Sequence, residues 1–429
     1  MQKMAQTFPS PPPAFLPILL SAVVLLFPAT ISASAAAGSG CFTSIISFGD
    51  SIADTGNLCD LSPPQHLPHM CFPPYGNTFF HRPTGRSCDG RLIIDFIAEH
   101  LGLPLVPASF DGRRGDIATG VNFAVAGATA LGVEFLKNWG VPVITTNVSL
   151  RVQLDLFREL MPSLCNSGDS SGKSALLISC NIYFRKENGA LGNLKLYTFE
   201  QAGCNGAFDN YLFLMGEIGG NDYNYPLMLP MSFEKIQQLV PIVVNSIGLA
   251  LRDVIELGAV HIMVPGNFPV GCIPVMLAYY SSSNPRDYDP STGCLTWLNQ
   301  FAELHNDLLQ TELSRLRKLY PHVNIIYADY YNAMMRIYRS PQQFGFTGGV
   351  LKACCGGGGP YNVNTTANCG NPVVKPCDDP STYVNWDGIH FTEATYRLVA
   401  KYILEEGSIV DPRLGASSCA TMDSKAQVL

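Results

Sequence analysis

Short apolar runs of strand length alternate with longer stretches of helical periodicity along most of this chain. Ser44-Ile45-Ile46-Ser47-Phe48 reads as a buried strand stopped at Gly49. Leu212-Phe213-Leu214-Met215 and His261-Ile262-Met263-Val264 read as two more, each ended by Gly or Pro, and Asn324 to Tyr327 as a fourth. Between them, Leu92 to Leu101 places Ile93, Phe96, Ile97 and Leu101 on one helical face. Phe233 to Leu257 has helical periodicity interrupted near Pro241, and Thr296 to Leu319 is amphipathic up to Pro321. Glu393 to Glu406 closes the pattern with Tyr396, Val399, Ala400 and Ile403 inward. Strands joined by crossover helices imply a parallel sheet covered on both faces. No repeat or linker divides the chain, so a single α/β domain is expected.

Composition narrows the function. With 429 residues, 47% of them hydrophobic and 14% charged, the chain has material for a large core and is no disordered polymer. The formal charge is −7 and no basic block occurs, which argues against a nucleic-acid surface. After Lys3 no charged residue appears until Asp50, and Phe15 to Phe27 is an apolar run of 13 residues. The small-residue string Ala33-Ser34-Ala35-Ala36-Ala37 follows it, so residues 1–35 read as a secretory signal peptide cleaved after Ala35 or Ala37. The run is short for a membrane anchor, and no other segment is read as long and apolar enough to span one.

All 14 cysteines lie beyond that site, where disulfides persist. Paired C-x-x-C knuckles for zinc are missing from the sequence, so structural bridges are expected and no metal. Cys369 has Cys377, Cys354 and Cys355 as local candidates for a partner. The sequons at Asn147 and Asn364 are acceptors for glycosylation. The expected destination is extracellular or the cell wall, with the vacuole as the alternative.

Ligands bind beyond the carboxyl ends of the strands of an open parallel sheet, and three polar clusters fall there. Phe48-Gly49-Asp50-Ser51 follows the first strand; a tight turn there would present the Ser51 hydroxyl outward, although Asp and Ser equally suit an ordinary helix N-cap. In Asp387-Gly388-Ile389-His390 the carboxylate can reach the imidazole three residues on, fixing its tautomer, or can simply cap the final helix. Asn122 to Ala128 and Gly219-Gly220-Asn221-Asp222 offer glycine-turn N–H groups and the Asn221 amide for an oxyanion hole, or mere turn chemistry. Their order within one domain makes a serine hydrolase coherent.

Five blocks carry a resemblance: FGDSIADTGN (Phe48 to Asn57), GVNFAVAGATAL (Gly120 to Leu131), GEIGGNDYN (Gly216 to Asn224), VPGNFPVGCIP (Val264 to Pro274) and WDGIHFTEATY (Trp386 to Tyr396). They resemble those of the plant GDSL esterase/lipases of the SGNH hydrolase superfamily. The resemblance implies a flavodoxin-like three-layer α/β/α fold with a central parallel sheet, in a single hydrolase domain over residues 40–410 followed by a tail, 411–429. It implies ester hydrolysis of small molecules without cofactor or metal. It also implies Ser51 as nucleophile, His390 as base, Asp387 as its orienting carboxylate, and the Ser51 and Gly127 N–H groups with the Asn221 side chain as the oxyanion hole. The turn lacks the second glycine of a G-x-S-x-G elbow.

The block from Met215 to Asp222 is similar to relatives acting on specialised plant esters, such as acetylated alkaloids and phenolic choline esters. Rival readings are acyl transfer to an alcohol through the same acyl-enzyme, and a secreted binding protein that has lost the chemistry; intact Ser51, Asp387, His390, Gly127 and Asn221 argue against the latter.

Two departures from the family spacing stand out. About 32 residues, roughly Gly172 to Gly203, are added between Cys165 and Cys204. Gly172-Lys173-Ser174 fits a splice-donor sequence and Gln201-Ala202-Gly203 an acceptor, so the segment reads as a retained intron or gene-model error. Its Gly-Lys-Ser lacks the spacing and the preceding strand of a phosphate loop. The second departure is Ser87-Cys88, in the reverse of the usual order.

Overall fold

A computed structural model of the chain describes residues 42–110, 119–143, 145–165, 206–364 and 366–405. The expectations for residues 1–35, 172–203 and 411–429 lie outside these. Five strands, β1 Ser44–Ser47, β2 Gly120–Asn122, β3 Tyr211–Leu214, β4 His261–Pro265 and β5 Asn324–Ala328, form one sheet in the order β2-β1-β3-β4-β5. Every pairing is parallel, with Ile46 of β1 between Val121 and Phe213. This is the flavodoxin-like order, within a three-layer α/β/α arrangement. The chain leaves β1 to one side for β2 and returns to the other side for β3, so the topological switch lies at β1 and β3.

Both faces of the sheet are covered. Adjacent residues of a strand point to opposite faces, and β3 shows it directly. Phe213 packs edge-on against Phe157 of the Leu150–Cys165 helix, while Leu214 faces Ile94 and Tyr330 across a small internal gap. On the first face the Leu150–Cys165, Val240–Glu256 and Thr296–Leu319 helices lie together. On the second, the Glu393–Glu405 helix touches both Ile93–His100 and Tyr330–Arg339. Double coverage explains why β1 and β4 are buried along their whole length and read as unbroken apolar runs.

The expected helix over 233–257 is two helices, Phe233–Gln237 and Val240–Glu256, with Pro241 in the first turn of the second, where its missing N–H costs no helical bond. Contrary to the sequence reading, the Phe233–Glu256 stretch is apolar and long enough to cross a membrane. Val240, Val243, Ile247, Leu251 and Val254 are instead buried in the core, which accounts for that hydropathy.

Disulfides join Cys59 to Cys71, Cys272 to Cys294, Cys354 to Cys377 and Cys355 to Cys369, and Cys165 is also disulfide-bonded. Cys369 thus takes Cys355 rather than Cys377. Cys88 is a free, buried thiol.

Candidate active site

The chain leaving β1 passes very close to the chain leaving β3. A Cβ on Gly49 would stand 2.9 Å from the Glu217 carbonyl oxygen, and Gly49 has φ +139, so no other residue fits this turn without strain. The fully buried Gln153 side chain clamps the Gly49 peptide from both sides: its Oε1 accepts from the Gly49 N–H (2.9 Å) and its Nε2 donates to the Gly49 oxygen (2.8 Å). Two residues on, Ser51 is 9% exposed, enough to be reached from outside. Asp50 accepts from the Ile52 N–H at 3.0 Å, so the turn-capping role that Asp suits is filled by Asp50, leaving the serine hydroxyl for another partner.

That partner is His390. Its Nε2 lies 2.8 Å from Ser51 Oγ, across 339 positions of sequence. Its Nδ1 lies 2.8 Å from Asp387 Oδ2 and 3.0 Å from Oδ1. Asp387 Oδ1 also accepts the N–H groups of Ile389 (3.0 Å) and His390 (2.9 Å), so the carboxylate organises its own turn rather than capping the final helix. Burial pushes the Asp387 carboxyl up, but the adjoining His390 ring, these hydrogen bonds and the nearby His69 outweigh it and hold it well below the usual carboxylate range. With Asp387 ionised, Nδ1 carries the proton and Nε2 is free to accept from the serine.

The expected oxyanion groups gather through their neighbours. Asn221 Nδ2 donates to Asp50 Oδ2 and to the Ala128 oxygen, both at 3.0 Å, and so ties the residue before Ser51 to the residue after Gly127. Both amide hydrogens of Asn221 are therefore engaged, and donation to an oxyanion would require one of them to turn. Gly127 has φ +81, and its oxygen accepts from the Tyr225 hydroxyl at 2.8 Å, fixing the orientation of its peptide.

Five further residues support these groups. Asp54 accepts from the N–H groups of Gly56, Asn57 and Leu58 in its own turn and from Ala126 beside Gly127. Asp222 accepts from Ala130 and Leu131. Burial lifts Asp54 to about 6 and Asp222 to about 7 against these N–H donors. Burial and the facing Glu217 carboxyl raise Asp50 well above its ordinary value. The fifth, Tyr75, donates its hydroxyl to Asp387 Oδ2 at 2.8 Å. Among the described residues, no cluster of three or more His, Cys, Asp or Glu is arranged to hold a metal ion.

A hydroxyl, an imidazole and a carboxylate in series at the switch point of a parallel sheet form the arrangement by which hydrolases activate serine. The chain belongs to the GDSL-like lipase/acylhydrolase family, whose model matches residues 45–403. It is 49% identical to the GDSL esterase/lipase At1g28580 of Arabidopsis thaliana over 399 residues, covering 92% of this chain and 94% of that protein. To At1g28600 of the same plant it is 50% identical over 388 residues, 90% of each chain. Membership at this depth makes the protein a carboxylic ester hydrolase.

Proposed function

We propose that the protein is a secreted serine esterase whose hydrolase domain spans residues 40–410 and works through Ser51, His390 and Asp387. The single observation that carries this reading is the unbroken hydrogen-bonded series from Ser51 Oγ through His390 to Asp387. His390 Nε2 takes the Ser51 proton as Oγ attacks the ester carbonyl. The tetrahedral oxyanion is held by the Ser51 and Gly127 N–H groups and by one turned hydrogen of the Asn221 amide. Collapse expels the alcohol, which receives the proton from His390, and leaves an acyl-enzyme; water then repeats the sequence and releases the acid. Asp387 stays ionised throughout and stabilises the imidazolium. The disulfides among the described residues and the leader read in residues 1–35 support secretion, and exposed Asn147 and Asn364 support glycosylation there.

Ser51→Ala tests the assignment. It should lower p-nitrophenyl acetate hydrolysis by at least about 10⁴-fold, with an unchanged circular dichroism spectrum. Near-normal turnover by that variant overturns it.

A further inference from the structure

Asp387 is buried, with side-chain exposure of 5%, and it receives donors from two sources. The N–H groups of Ile389 and His390 and the His390 ring all belong to the turn that Asp387 itself begins. The remaining donor, the Tyr75 hydroxyl, comes from 312 positions away and meets the same oxygen, Oδ2, that receives the His390 Nδ1 proton. Tyr75 is wholly buried, with its ring edge-on to Trp386 at 5.8 Å between centroids, and its segment is pinned by the Gly76 N–H on the Cys88 oxygen. A hydroxyl this enclosed would be left unpaired without Asp387, so the contact is part of how the segment packs.

We propose that Tyr75 is a positioning residue for His390, acting through Asp387: its hydroxyl fixes Oδ2 opposite Nδ1 and draws negative charge from that oxygen. The inference rests on the triad reading above. Burial and the neighbouring carboxylate push the Tyr75 phenol well above its ordinary range, so it remains a donor across the working pH. The other titratable groups facing this pair are His390, His69, Cys88 and Tyr396, and Tyr75→Phe leaves all four in place.

A hydrogen bond to a charged acceptar is among the stronger ones, so its loss should lower kcat by about tenfold to a hundredfold. KM should change little, because Tyr75 touches the carboxylate and not the substrate. The sign of the pH effect follows from charge. Without its donor, Oδ2 carries more negative charge and holds the imidazolium more tightly, so the acid limb of kcat/KM moves upward. A fluorinated tyrosine placed at position 75 alone keeps the shape and strengthens the donor, so its acid limb should move downward.

The test measures kcat, KM and the acid limb for the full chain, for Tyr75→Phe, for the fluorotyrosine protein, and for both Asp387→Asn and its double variant with Tyr75→Phe. The expected result is opposite shifts of the acid limb in the two single-site proteins, with no further loss from Tyr75→Phe once Asp387 is Asn. If Tyr75→Phe folds poorly, the near-isosteric fluorotyrosine protein still decides the question: an acid limb in the wild-type position overturns the proposal. An inactive Asp387→Asn beside two unaltered Tyr75 proteins removes Tyr75 alone from the mechanism. An Asp387→Asn protein of near-normal turnover removes the triad reading with it.

Discussion

The two halves of the site are held in place by different physics. Ser51 leaves β1 in the interior of the sheet, and its surroundings are knitted by buried polar side chains: Gln153 on Gly49, Asp54 on Ala126, Asn57 on Asn122 and Ala124, Asp222 on Ala130 and Leu131. His390 follows a short ribbon, Gly349–Ala353 paired with Tyr383–Asn385, and two disulfides close the segment between them. The half-cystines lie directly on the arm that carries His390, since the Cys354 and Cys355 N–H groups donate to the Asn385 and Trp386 oxygens. The segment includes four successive glycines, Gly356 to Gly359, with no side chains of their own to bury. One half therefore depends on buried hydrogen bonding, the other on covalent closure, and the proposed mechanism draws on both.

The largest expected effect comes from His390→Ala. It should cost at least about 10⁴-fold in kcat while the far-ultraviolet dichroism of the sheet stays that of the wild type. Next, Cys354→Ser with Cys377→Ser opens one closed loop and should cost about 3 kcal/mol of stability. In that variant activity should vanish at lower urea than the far-ultraviolet dichroism of the sheet; coincident transitions would erase the distinction between the halves.

Asn57→Ala acts on the other side. It deprives two buried carbonyls of their donor and should cost about 2–3 kcal/mol, with activity and dichroism now lost together in urea.

The smallest effect is on pH. Asp54 and Asp222 have raised folded-state values, about 6 and about 7, so their contribution to stability is full below pH 3.8 and is lost as pH rises through those values. Asp387 is depressed, so its contribution is present above 3.8 and lost as pH falls. Calorimetry should therefore show a melting temperature that declines by a few degrees from about pH 4 to about pH 7, and Asp222→Asn should flatten that slope.

The elements with local signatures were legible in the sequence. Buried parallel strands are continuous apolar runs, so β1, β3, β4 and β5 stood out within a residue or two, and Thr296–Leu319 matched its expected limits. Ser51, Asp387 and His390 lie in short ordered blocks, and the structure brings all three into contact. The Leu150–Cys165 helix was not read, because it carries Pro162 in its last turn and mixes charges into its apolar stripe. Gln153 and Tyr75 escaped for another reason. Each reaches its partner over more than a hundred positions, and such contacts leave no trace in local periodicity. The choice of Cys355 for Cys369 likewise depended on where the ribbon placed three nearby thiols.

Cys88 gives the molecule a built-in gauge of its own breathing. Its thiol is unpaired, fully buried and pushed well above its ordinary value by that burial, with Asp89 and the Arg91 carbonyl as hydrogen-bond acceptors. An alkylating reagent can reach it only while the surrounding structure is open, so the rate of labelling counts openings directly. Because the Cys88 oxygen holds the Gly76 N–H next to Tyr75, that rate would report how often the chain around Tyr75 opens, in the unaltered protein and without any introduced probe.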